Sequence, residues 1–297
     1  MEEATANIGN ISQVIIDTIN NLLNTLFSSV DNSVYETLDN LAFINIEIFD
    51  TSFFKNIFGD GSSNGLIIIA NSLLLAVCLY YSFKLLYSYF TGAQIERPYQ
   101  FVFKLLIFGI VINSSSLICE GLIYINSVIS AAIRDIGKGI FEEEICFSTL
   151  IQNLNSVITV DSTNFNVFSF DGILKSLISI SFINLLFTYS LRYIMVQVLI
   201  LLTPFAFLTL INQSTSSFFK AWLKTFLSLL FIQPFISLIL LIVFALDFST
   251  LDVFSKILCI GSIYALIKAN SYVQHFIGGI STDVSQNFSS LMRRSKI

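Results

Sequence analysis

The chain reads as an all-α integral membrane protein, and three observations carry that reading. Of its 297 residues, 55% are hydrophobic and 12% charged, about half the share of charge found in soluble domains. Mean hydropathy is +0.79. Thirty residues are Phe, and a single buried core stops growing too early to hide that much apolar surface. Lipid takes the place of water as the solvent.

The elements follow in order. Residues 1–64 form an extracytoplasmic, amphipathic N-terminal segment. Its start, Met1-Glu2-Glu3, is acidic where a cleavable signal is basic, and no continuous apolar run follows. Ile11, Ile15, Ile19, Leu22 and Leu26 recur at helical spacing, and Val34, Leu38, Leu41 and Phe43 predict a second short helix. Both are too short and polar to cross a bilayer, so they are expected on a surface or against a partner. Gly59-Asp60-Gly61-Ser62-Ser63-Asn64-Gly65 closes the segment as a loop.

Residues 65–133 hold two spans, near 66–83 and 105–133, joined by the link 84–104. Tyr80, Tyr81, Tyr87, Tyr89 and Lys84 suit a membrane interface. The second span carries polar groups: Asn113, Ser114, Ser115, Ser116, Glu120 and Asn126. Residues 134–172, with Glu142-Glu143-Glu144, read as a polar loop. Three further spans fall within 173–268. The stretch 173–211 is too long for one upright span and barely long enough for two. Trp222, with Lys220 and Lys224, stands where an interface anchor is expected before the span 223–246. The last span, near 253–267, closes at Lys268. The tail 269–297 carries Val273, Phe276, Ile280, Val284, Phe288 and Leu291 at amphipathic spacing and ends in Arg293-Arg294-Ser295-Lys296.

Charge orients these spans, because Lys and Arg in short loops stay in the cytoplasm. The link 84–104 carries Lys84, Arg97 and Lys104 against Glu96, which places it inside. The N-terminal segment has Lys55 against 9 acids, and 134–172 has Arg134 and Lys138 against 6, which places both outside. The basic tail belongs inside. An outside N-terminus and an inside C-terminus require an odd number of crossings. The prediction is about five transmembrane helices, with 173–211 as one long element tilted or kinked at Pro204.

Two ionisable residues stand near span midpoints, Glu120 and Arg192. A charge at bilayer centre costs about 2.5–3.5 kcal/mol on insertion scales. Both are expected to face the bundle, where a Glu120–Arg192 pair offsets much of that cost. The pair either lines a polar path or serves structure alone, and the structural role needs no further function. Pro204 and Pro234 mark kinks facing protein or a cavity, since freed carbonyls in lipid need neighbouring donors, and such kinks shape packing more often than they serve gating. The Ser and Asn clusters are expected to join helices.

No catalytic pattern emerges. The four Cys show no paired spacing, Cys146 reads as an ordinary free thiol ahead of one that pairs with another chain, and His275 is the single His. There is no phosphate-binding glycine loop, no zinc-protease motif and no serine elbow. The expectation is a non-enzyme with no catalytic residue, cofactor or metal. The two halves also differ in span length and loop size, against the inverted repeats of secondary transporters.

The stretch 191–246 is the most informative. It runs Leu191-Arg192-Tyr193, Leu202-Thr203-Pro204-Phe205-Ala206, the polar link 212–217, Phe218-Phe219-Lys220-Ala221-Trp222-Leu223-Lys224 and a span holding Gln233-Pro234. This resembles the TrbL-type family of polytopic inner-membrane subunits of type IV secretion and conjugation systems. The resemblance implies a channel or scaffold subunit that helps pass single-stranded DNA or protein across the cytoplasmic membrane. It implies a homo-oligomer working beside other secretion subunits and their ATPases. The high Phe, Ile and Asn usage looks like an AT-rich genome and suggests a Gram-positive relative. The acidity of 134–172 favours protein contacts there, since phosphate affinity comes from Lys and Arg. The alternative is a secondary transporter or small-solute permease.

Overall fold

The computed structural model describes residues 32–59, 65–92, 97–157, 170–212, 214–246 and 253–277, with position 18. The expected helix over 11–26 and the tail beyond 277 lie outside the described residues. All regular structure among the described residues is helical: α1 (Asn32–Ala42), α2 (Glu47–Asp50), α3 (Ser52–Phe58), α4 (Leu66–Thr91), α5 (Pro98–Asn113), α6 (Ser115–Phe141), α7 (Phe147–Val157), α8 (Phe170–Leu208), a 3-10 turn (Thr209–Ile211), α9 (Ser216–Phe244) and α10 (Val253–Ile277).

Four helices are long and apolar enough to cross a membrane: Leu66–Thr91, Ser115–Phe141, Ser176–Ile211 and Ser216–Phe244. The apolar α5, at 16 residues, is shorter. The chain is a multi-pass all-α membrane protein. The stretch 173–211 lies within one continuous rod, α8, which passes through Pro204 and tightens into the 3-10 turn.

α8 and α9 run antiparallel, and α6 lies parallel to α9. The first register is read from Arg192 against Leu229 and Leu199 against Trp222. The second comes from Asn126 against Gln233, Ser130 against Ser237 and Phe141 against Phe244. α6 and α9 approach closely at Gly137, where an added Cβ would lie 2.6 Å from Ile145 Cγ1 and 2.7 Å from Leu241 Cδ1. α10 packs on α8 and α9.

Four expectations need correction. The predicted span 105–133 is two helices broken at Ser114. Asn113 Nδ2 donates to Gly109 O at 2.7 Å and reaches Asn71 across to α4. Short polar side chains compete in this way with backbone bonding, and the Asn-Ser-Ser-Ser run concentrates the effect. The loop expected over 134–172 is partly helix, because α6 continues to Phe141 and α7 follows. Phe147, Leu150 and Ile151 of α7 are buried in the core. The second N-terminal helix, α1, is present but does not lie on a surface. It buries Leu38 and Ala42 in the main core. Finally, α10 continues through Lys268 to Ile277, so the expected boundary between last span and tail lies inside one helix.

The hairpin of α4 and α5 stands apart. Ala70 and Ile112 meet Phe207 near its open end, and Tyr81 stacks on Phe101 at 3.6 Å within it. Beyond that contact its apolar side chains are bare, with Phe83 70% and Tyr89 86% exposed. Hydrocarbon is the solvent such a surface requires.

Candidate functional site: a polar seam inside the bundle

Arg192, on α8, is the largest fully buried side chain among the described residues, 1% exposed. It forms no pair with Glu120. Its Nε donates to Leu229 O at 2.9 Å and its Nη1 to Ala42 O at 2.8 Å. Both acceptors are backbone groups with capacity to spare. Ala42 ends α1, where the last carbonyls of a helix lack intrahelical partners and carry its negative dipole end. Leu229 lies next to Leu230, whose carbonyl loses its helical donor because Pro234 has no N–H. The guanidinium charge therefore rests on carbonyl dipoles, and Nη2 is left without a protein partner. Glu120 is half-buried on α6, and no salt bridge links it to Arg192. The planar fork of the guanidinium lets two of its donors reach carbonyls on two different helices.

One turn before Arg192, Tyr189 is also fully buried. Its hydroxyl donates to Leu266 O of α10 at 3.3 Å, and its ring meets Phe147 of α7 edge-on at 5.9 Å. Together the two side chains tie α8 to α1, α7, α9 and α10.

Trp222 is not an interface anchor. It is 3% exposed and packs among Phe207, Phe219 and Phe226, stacking on the last at 5.3 Å. Its Nε1 donates to Leu199 O at 2.9 Å. An indole buried on all sides needs such an acceptor, and Leu199 adjoins Ile200, the carbonyl left free by Pro204. Lys220 and Lys224 on the same helix are exposed.

A row of side-chain pairs completes the seam along α6. Cys119 Sγ lies 3.0 Å from Thr203 Oγ1, Asn126 Nδ2 donates to Gln233 Oε1 at 3.2 Å, and the Ser130 and Ser237 hydroxyls are 2.6 Å apart. Cys119, Asn126 and Ser130 recur at helical spacing, so one face of α6 reads the residue before each buried proline. Pro204 and Pro234 are both buried. Among the described residues no group of three His, Cys, Asp or Glu could hold a metal ion.

A separate clamp lies toward the N-terminal segment. Asp39 of α1 accepts from the Phe147 N–H at 2.8 Å, the Ser148 N–H at 3.1 Å and the Ser148 hydroxyl at 2.7 Å. It caps α7 from another helix, meeting the free N–H groups that every helix start carries. Arg134 lies 4.2 Å over the Phe43 ring beside it.

Comparison with family models, curated proteins and solved structures finds no match.

The geometry joins Arg192, Trp222, Pro204 and Pro234 into one site and leaves Glu120, Lys220 and Lys224 outside it. Sequence reasoning missed Asp39, Tyr189, Thr203 and Cys119. The available signal was the helical spacing of Cys119, Asn126 and Ser130, which marks a polar stripe on an otherwise apolar helix.

Proposed function

We propose that the chain is a non-enzymatic channel or scaffold subunit of a conjugative type IV secretion system. In this reading it sits in the cytoplasmic membrane, N-terminal segment outside and tail inside, and helps pass single-stranded DNA or protein. The observation that carries the reading is the place of the 191–246 block. The residues that resemble the TrbL-type family form the α8–α9 pair at the centre of the bundle, and their polar groups are spent on one another and on α1 and α6. Buried polar groups used this way favour a scaffold with a fixed interior. A permease calls for unwound backbone at a substrate site; α8 and α9 stay helical through Pro204 and Pro234, and the break between α5 and α6 is the single residue Ser114.

Partners in this reading are other secretion subunits, their ATPases and further copies of the chain. The test is an in-frame deletion in the host, with transfer frequency measured by mating and restored by the gene in trans. Normal transfer without the chain rejects the role. Orientation is tested separately by single Cys substitutions at Asn40, Gln152 and Ser290 in a Cys-free background. A membrane-impermeant maleimide labels the first two in intact cells and the third only after lysis. Labelling of position 290 in intact cells overturns the assigned sidedness.

A further inference from the structure

α8 and α9 repeat one another at an offset of 30 residues. Each has Leu at the fifth position before a Pro-Phe pair whose proline is buried: Leu199 before Pro204-Phe205, and Leu229 before Pro234-Phe235. At the twelfth position before each proline stands a buried nitrogen donor, Arg192 in α8 and Trp222 in α9. The donors cross over. Arg192 Nε meets Leu229 O and Trp222 Nε1 meets Leu199 O, both at 2.9 Å.

The surroundings repeat as well. Residues 191–194 are in turn exposed, buried, half-buried and exposed, and so are 221–224. Residues 203–207 and 233–237 share a second such pattern, with the proline buried and the Phe after it half-buried. The residue before each proline reaches the same face of α6, Thr203 to Cys119 and Gln233 to Asn126. Because the two helices run antiparallel, a local two-fold axis relates them. It passes between Met195–Val196 of one helix and Thr225–Phe226 of the other.

The mechanical consequence follows from where the bonds fall. Both lie on the N-terminal side of a proline, so they join 192–199 to 222–229 as one antiparallel block, tied at both ends. The segments beyond Pro204 and Pro234 leave that block at opposite ends. A proline removes one backbone bond and loosens the turn before it. Each arm therefore has its own hinge, whereas the block between has none.

We propose that α8 and α9 form a local inverted repeat that acts as a rigid, cross-braced block with a proline hinge at each end. The block holds mid-bundle still, and the arm beyond each proline rests on its own neighbour, Phe207 on Trp222 and Ser237 on Ser130 of α6. This inference does not depend on what the chain transports.

Hydrogen–deuterium exchange by mass spectrometry on the full chain in lipid nanodiscs tests it, comparing wild type with Trp222→Phe. The substitution keeps an aromatic ring and removes the N–H, leaving only the small cavity of the lost second ring. One lost buried hydrogen bond changes local opening by on the order of tenfold. The expected result is that exchange rises by about that factor in both 192–203 and 222–233, with the α4–α5 hairpin unchanged. Arg192→Lys, a point charge in place of a planar fork, gives the same two-segment pattern. Acceleration confined to 192–203 in Trp222→Phe overturns the proposal, because the block is then not a unit. So does an equal rise in the hairpin, which signals general loosening, or no change at all.

Discussion

Replacing Asp39 with Ala is expected to release α7 from the bundle. Three donors converge on that carboxylate, at 2.7, 2.8 and 3.1 Å, two of them helix N-terminal N–H groups with no other partner. Losing an N-cap costs about 0.5–2 kcal/mol, and a hydrogen bond to a charged group contributes about 1.5–3 kcal/mol when well buried. Asp39 is half-buried, so the lower ends apply and the sum is roughly 2–3 kcal/mol. For a chain of this size that is a fall in Tm of about 4–12 °C. Asp39→Asn keeps an acceptor oxygen and is expected to lose roughly half as much. Thermal unfolding in nanodiscs, followed by intrinsic fluorescence, reads both. An Asp39→Ala protein within about 1 °C of wild type refutes the clamp.

The same carboxyl gives a pH signature. Burial pushes it above its ordinary 3.8, against the pull of the Phe147 and Ser148 donors and the Arg134 charge. A raised folded-state pKa means the folded protein holds that proton more tightly than the unfolded chain. The linked stability is complete below the unfolded value and is lost as pH rises through the folded one. The Tm difference between wild type and Asp39→Asn therefore shrinks from pH 4 to pH 7. A difference that grows over that range shows that the hydrogen bonds outweigh burial.

Three further outcomes are expected. Gly137→Ala drives a methyl into Ile145 and Leu241 and costs about 1–3 kcal/mol. Gly139→Ala, with open space around it, is neutral or gains up to about 1 kcal/mol; equal Tm values for the two variants refute the close approach of α6 and α9. The double swap Glu120→Arg with Arg192→Glu expresses no better than Arg192→Glu alone, because the two residues do not pair; rescue by the swap restores the ion-pair reading. A double-mutant cycle on Asn126→Ala and Gln233→Ala returns a coupling near 0.6 kcal/mol, the average for polar pairs between membrane helices, and zero coupling removes that pair from the seam.

Much of the architecture was legible because lipid makes composition decisive. The long apolar runs marked α4, α6, α8 and α9, and 173–211 is one element, while four helices among the described residues, rather than the five expected, are long and apolar enough to span. Local polar competition was harder to read: Asn113 breaks a helix through a bond to Gly109, and neither residue alone announces a boundary. The site was half legible. A buried Arg and two intramembrane prolines are expensive, and expense is visible in sequence. Their partners were not visible, because those partners are backbone carbonyls, which every residue has. For the same reason Glu120 looks the natural counter-ion in the sequence and Trp222 a surface anchor, although its N–H has an acceptor inside.

The bond from Arg192 to Ala42 spans 150 positions of chain, and that separation is also an interval in time. At synthesis rates of about 5–20 residues per second, α1 leaves the ribosome roughly 8–30 s before Arg192 does. When α8 enters the bilayer with a guanidinium at its middle, the carbonyl that receives it has to be waiting there. The N-terminal segment is then a receptor made early for a charge that arrives late. Shortening the chain from its N-terminus past Ala42 would strand that charge at the moment of insertion, long before any mature function is at stake.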